Sequence, residues 1–170
     1  MPAPTAFDPI DLVDSANRPA GVIARGAARS RGVNFRTVHV LLFDDDDRVL
    51  LQRLAAPRDR HPGRLGSSVA GYLHAGEGFA EASQRRTIEE LGIDPDLESL
   101  GVLAMLDGRS TKFVGVFRGS GRGARVQDPS HVAELIWMGP DEVDRQVAAD
   151  PDQFTPTFRT VWCHYRTEAG

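Results

Sequence analysis

Cysteine occurs once in the 170 residues, at Cys163. A single thiol excludes an internal disulfide and any zinc cluster built on cysteines, and it suits a reducing cytoplasm. No apolar run approaches the length needed to span a bilayer, and the opening Met1 to Asp8 has neither the basic nor the apolar part of an export signal. Lysine also occurs once, at Lys112, the other basic residues among the 20 being arginine; against 24 acidic residues this leaves a net charge of −4. That balance provides no overall field to draw the chain to nucleic acid or an anionic membrane, so a polyanion would need a local patch. Repeats are absent, and low complexity is confined to Asp44–Asp47 and the Gly/Arg stretch 118–125. The expectation is a soluble, cytoplasmic protein with no nucleic-acid or membrane partner; pairing into a homodimer is left open.

What is present fits one core. With 41% hydrophobic residues, a chain of this length can bury about 70% of its unfolded surface. Residues 1–9 read as a flexible tail and 10–170 as a single domain. Ile10–Val13 and Gly21–Ala24 flank a turn-rich stretch and suggest a hairpin. Thr37–Phe43 and Val49–Arg53 are dense in β-branched and apolar residues and read as sheet strands; the four aspartates between them read as a solvated turn rather than a cation site. Leu54–Ser67 is a basic loop, either a wall for phosphate groups or a solvent-facing segment. Leu100–Leu106, Thr111–Phe117 and Ala133–Met138 read as further strands. Asp141–Ala149, opened by Pro140, and Phe154–Tyr165 read as helices, the latter with a packing stripe of Phe158, Val161, Trp162 and Tyr165. Strands, helix, strands, then helices argue for an α/β/α sandwich with a mixed central sheet.

The stretch Gly71–Ile93 carries the chemistry. A glycine-punctuated loop feeds Phe79–Leu91, which has no Gly or Pro, is rich in helix formers, and stops at Gly92. On a helix, Glu89 and Glu90 stand three and four residues after Arg86, within reach of it. Two adjacent carboxylates above such a loop suit a hard divalent cation, although an exposed acidic face has the same composition.

These residues resemble the Nudix box, G-x5-E-x7-R-E-U-x-E-E-x-G-U with U apolar: Gly71, Glu77, Arg85, Glu89, Glu90, Gly92 and Ile93 fall at its spacing. Arg86 stands where the box has its first helix glutamate, and Thr87 where it has an apolar residue. The opening 13–21, Leu50-Leu51-Gln52-Arg53, His61-Pro62-Gly63 and Trp137–Glu142 are similar to the branch related to isopentenyl-diphosphate isomerases, so the resemblance runs from about residue 10 to 165. It implies the Nudix fold, Mg²⁺ or Mn²⁺ as cofactor, and hydrolysis of a nucleoside diphosphate-linked small molecule. It also implies Glu89 and Glu90 as catalytic residues and, with Gly71, as metal ligands, and Glu77–Arg85 as a structural ion pair.

Arg53 and Arg64 are candidate phosphate contacts. His74 and His131 are the titratable candidates near the box, His131 being either a general base, because imidazole exchanges protons near neutrality, or a surface-loop histidine. Arg86 opens an alternative, a degenerate Nudix domain that binds a nucleotide without cleaving it. Its guanidinium can swing to solvent, pair with Glu89 or Glu90, or meet substrate phosphate. Isomerase activity is disfavoured, since the family's acid–base cysteine and glutamate fall at Ala70 and at or near Lys112.

Overall fold

The computed structural model describes residues 5–58 and 60–169. Strands β1 (Pro9–Val13) and β2 (Pro19–Ala24) form an antiparallel hairpin apart from the main sheet. Asp14 stabilises their turn by accepting from the backbone N–H groups of Ala16 (2.8 Å) and Arg18 (3.0 Å). Residues 1–4 of the expected tail lie outside the described residues. Thr5 to Asp8 form a turn in which the Asp8 carboxylate accepts from the Thr5 N–H, and Pro9 already belongs to β1.

Among the described residues the main sheet has seven strands: β3 (Phe35–Phe43), β4 (Val49–Leu54), β5 (Leu65–Gly66), β6 (Val69–Tyr72), β7 (Glu98–Asp107), β8 (Ser110–Ser120) and β9 (Val132–Met138). It is mixed. β3 runs parallel to β8 along its whole length, from Phe35↔Lys112 to Phe43↔Ser120, whereas β4 with β9 and β7 with β8 are antiparallel.

Alternation along β3 divides the core. Val38, Val40 and Leu42 face helix α1 (Phe79–Leu91), where they pack with Ala82 and Leu91. Leu41, with Val114 and Val116 of β8, packs with helices α2 (Pro140–Ala149) and α3 (Pro156–Glu168) through Val143, Phe158, Val161 and Trp162. Each such side chain contributes about 1.5–3 kcal/mol on burial, which fixes the sheet between two helical layers. The fold is the α/β/α sandwich with a mixed central sheet. Among the described residues, no helix is long and apolar enough to cross a membrane.

Helix α1 has the bounds expected from composition. Gly92 closes it with φ 68°, a left-handed conformation that costs glycine least, and its N–H donates to the Ile88 carbonyl. Helix α3 departs from expectation at its start. Thr155 accepts from the Phe158 N–H and Pro156 takes the first turn, so the helix opens there and not at Phe154. Phe154 stays extended, fully buried and stacked on Phe158 at 5.6 Å. The stretch Leu54–Ser67 is not wholly a loop, since Leu65 and Gly66 form β5 against Arg53 and Gln52.

Candidate functional site

Strands β3 and β4 meet at a single pair, Phe43↔Val49. Beyond it β3 takes β6 as neighbour, while β4 pairs with β5 and β9. A cavity of about 820 Å³ lies at this divergence, reached by Thr37 and His39 of β3, Gln52 of β4 and Gly71 of β6. That volume accommodates an ordinary small-molecule ligand. Six arginines line it, Arg25, Arg29, Arg58, Arg60, Arg85 and Arg86; the carboxylates lining it among the described residues are Asp8 and Asp107.

Helix α1 supplies one wall. Arg85 makes a bidentate pair with Glu77, Nε to Oε1 at 2.7 Å and Nη2 to Oε2 at 2.9 Å, and Nη2 also donates to the Tyr72 carbonyl. Glu77 further accepts from the His74 N–H at 2.8 Å. Burial would raise the Glu77 carboxyl, but the hydrogen bonds from Arg85 and His74 outweigh it and hold the group below its ordinary value. The pair fastens the glycine loop to the helix, with both charges mostly shielded from water.

Arg86 is 4% exposed and lies between the two glutamates, with Nη1 2.6 Å from Glu89 Oε2 and Nη2 2.5 Å from Glu90 Oε1. Its stem crosses Gly71: a Cβ there would stand 2.4 Å from Arg86 Nε, so only glycine leaves room. Burial pushes the Glu90 carboxyl up, yet the Arg86 charge and then the His131 hydrogen bond bring it below its ordinary value. Glu89 is shared with Arg85, whose Nη1 lies 3.2 Å from Oε2. Arg85 and Arg86, not the glutamates, face the cavity.

A divalent cation does not fit these donors as they stand. The carboxylates are already neutralised by a guanidinium placed between them, and the same side chain fills the space where a Gly71 Cβ would stand. Bringing Mg²⁺ to Glu89 and Glu90 requires Arg86 to leave, and a buried cation stripped of its partners costs about 3–5 kcal/mol. Of the three courses open to Arg86 in the sequence, the structure takes pairing, with both glutamates at once. Arg86 Nε remains buried without a hydrogen-bond partner among the described residues.

His131 stands against this cluster, its Nε2 3.1 Å from Glu90 Oε1 and 2.9 Å from Arg58 Nη1. One ring nitrogen donates to Glu90 or accepts from Arg58, but not both, so the tautomer selects the partner. Gln52 Nε2 approaches Glu90 Oε2 at 3.4 Å. Deeper in the cavity, burial and the Lys112 charge lower His39 to about 3, and its Nδ1 pairs with Ser67 Oγ at 2.8 Å. His39 is therefore neutral at physiological pH.

The structure brings Gly71, Glu77, Arg85, Glu89, Glu90 and His131 together, but not Arg53 or Arg64. Gln52 and Leu54 line the cavity, so Arg53 between them points to the opposite face of β4. There it meets Glu134 at 2.5 Å and the Gly63 carbonyl at 3.1 Å. Arg64 lies outside the lining, whereas Arg58 and Arg60 of the same basic stretch are within it. Sequence reasoning placed these two in the basic stretch read as a candidate phosphate wall without singling either out, and missed Arg25, Arg29 and, as a cation of this cavity, Lys112. The basic stretch was a signal for Arg58 and Arg60; Arg25 and Arg29 follow β2 in a segment with no motif. Ala70 and Lys112, at the isomerase positions, both line the cavity.

Residues 33–158 match the NUDIX domain family. The chain is 35% identical to an isopentenyl-diphosphate Delta-isomerase of Nocardia farcinica, across 95% of this chain and 99% of the relative. It is 28% identical to an uncharacterized Nudix hydrolase of Yersinia pestis, across 86% of this chain and 79% of that one. Among solved structures, the NUDIX domain of Shewanella oneidensis NrtR, complexed with ADP ribose, superposes with a TM-score of 0.64 at 18% identity, covering 81% of this chain and 89% of that one.

Proposed function

The chain belongs to the Nudix family, and from that premise we propose that it hydrolyses the diphosphate of a nucleoside diphosphate-linked small molecule held in the arginine-lined cavity. The observation carrying this reading is the charge of the cavity: with Arg85 and Arg86 set against Glu77, Glu89 and Glu90, the lining still has Arg25, Arg29, Arg58, Arg60 and Lys112 against the described carboxylates Asp8 and Asp107. A diphosphate supplies the negative charge that such a wall lacks, and arginine is suited to phosphate oxygens through its fork of donors. ADP ribose, the ligand of the Shewanella domain, belongs to this chemical class.

In this reading Arg58 and Arg25 meet phosphate oxygens, while Arg86 stays paired with Glu89 and Glu90. His131, oriented by Glu90, takes the proton of the attacking water. Mg²⁺ or Mn²⁺ is the cofactor that family membership implies, but with Arg86 between the carboxylates no step is assigned to it. We place the protein in the reducing cytoplasm, in keeping with the exposed, unpaired thiol of Cys163.

The double ion pair of Arg86 favours a second reading, a domain that binds the nucleotide without cleaving it. Isomerisation fits less well despite the Nocardia relative. Ala70 has no proton to give to an allylic carbon, and the Lys112 ammonium is engaged by Thr157 Oγ1 at 2.6 Å. A panel of nucleotide sugars, dinucleotides and nucleoside triphosphates, incubated with Mg²⁺, Mn²⁺ or EDTA, separates the readings. Hydrolysis of at least one diphosphate-linked member is expected. Binding without turnover under every condition would establish the second reading, and conversion of isopentenyl diphosphate would overturn both.

A further inference from the structure

Beside the β7–β8 turn, away from the glutamates of α1, three cations share one carboxylate. Asp107, with a side chain 11% exposed, lies 2.9 Å from Arg29 Nε, 3.0 Å from Arg60 Nη1 and 3.4 Å from Lys112 Nζ. All four residues line the cavity. With Lys112 protonated, one negative charge faces three positive ones. Two of the cations have further partners: Arg29 stacks over Phe35 at 5.1 Å and bonds the Tyr72 hydroxyl, and Lys112 donates to Thr157, whereas Arg60 is held by Asp107 through both of its terminal nitrogens. Thr37, two residues past Phe35 on the same face of β3, also lines the cavity, and its buried Oγ1 has no partner among the described residues.

We propose that Arg29, Arg60, Lys112 and Thr37 form a second anion subsite, which takes a phosphate group that the substrate carries in addition to its diphosphate. The inference rests on the reading of the cavity as a diphosphate site. A phosphate monoester carries about −1.5 to −2 at neutral pH, the charge this cluster leaves uncompensated. Asp107 is its resident counter-ion: burial would raise its carboxyl, but the hydrogen bonds from Arg60 and Arg29 hold it well below the ordinary range. Burial lowers Lys112 to about 8, against the pull of Asp107, so an arriving dianion would bring the amine back toward full protonation.

Lys112 is the chain's only lysine, so protein labelled with ¹³C-lysine gives a single ε-CH₂ resonance at the subsite. Titration with inorganic phosphate is expected to move that resonance in a saturable way. Asp107→Asn should tighten phosphate by about three- to tenfold, by removing a like charge, and Arg60→Gln, a change at a partly exposed side chain, should weaken it by a similar factor. An unmoved Lys112 resonance, or a phosphate affinity indifferent to both substitutions, would overturn the subsite. Calorimetry with ADP ribose on the same samples tests the diphosphate reading separately. Retained ADP-ribose binding beside an unmoved resonance refutes the subsite alone, whereas loss of both ligands in the unaltered protein refutes the subsite and the reading on which it rests.

Discussion

Gly71 and Arg86 depend on each other. The absence of a side chain at position 71 lets the Arg86 stem reach both glutamates, and a methyl group there would meet Nε, Cδ and Cγ at 2.4–3.1 Å. Gly71→Ala should therefore destabilise the fold by about 1–3 kcal/mol, the cost of overpacking a buried site, measurable by denaturant unfolding; an unchanged midpoint would show that Arg86 has another path. His39 makes a pH-dependent contribution. Its folded value of about 3 lies below the 6.5 of a free imidazole, so between these values the unfolded chain binds the proton and the folded chain does not. Stability should be full above pH 6.5 and fall as the pH drops through the window. His61, lowered by partial burial and then by the Arg60 charge, adds in the same direction. His39→Gln should flatten the unfolding free energy between pH 6.5 and 4.5, and a curve superposable on that of the parent would contradict a buried neutral imidazole.

Helix α1 was the most legible element, because its start, composition and glycine stop are local properties of the sequence. The same spacing brought Glu77 and Arg85 to one ion pair. Arg86 was legible only as alternatives, since its choice depends on Gly71 from β6 and on how deeply the helix is buried. Local signals also misplaced the start of α3, where Phe154 is apolar and helix-compatible but Thr155-Pro156 sets the cap. Arg53 was legible as a charge but not as a position: its side chain meets Glu134, on the face of β4 opposite to Gln52 and Leu54. If Arg86 is what keeps a divalent cation from Glu89 and Glu90, Arg86→Glu should turn the helix face into three carboxylates and tighten Mg²⁺ by roughly tenfold or more. Calorimetric titration with MgCl₂ reports this without reference to activity, and equal or weaker affinity would show that Arg86 is not the obstruction. Between α2 and α3, Trp162 Nε1 donates to Asp144 Oδ1 at 2.7 Å. Trp162→Phe should cost about 1 kcal/mol for that bond plus the lost ring area, read from thermal unfolding; no loss would mean that Asp144 is equally well satisfied by Arg166 alone.

Across the whole molecule, a net charge of −4 coexists with a cationic cavity, and no local reading of the sequence could have placed that cavity. Its arginines come from the segment after β2, the loop before β5 and helix α1, which converge only because β3 and β4 part after Phe43 and Val49. The proposed function requires such an arrangement to hold a diphosphate by its own side chains. Calorimetric titration of the protein with ADP ribose in EDTA, repeated with Arg58→Gln, addresses this most directly. Saturable binding that survives the chelator and weakens by about tenfold or more in the variant is expected, the loss of one charge-assisted contact. Binding that disappears with EDTA, or that is indifferent to Arg58, would contradict it.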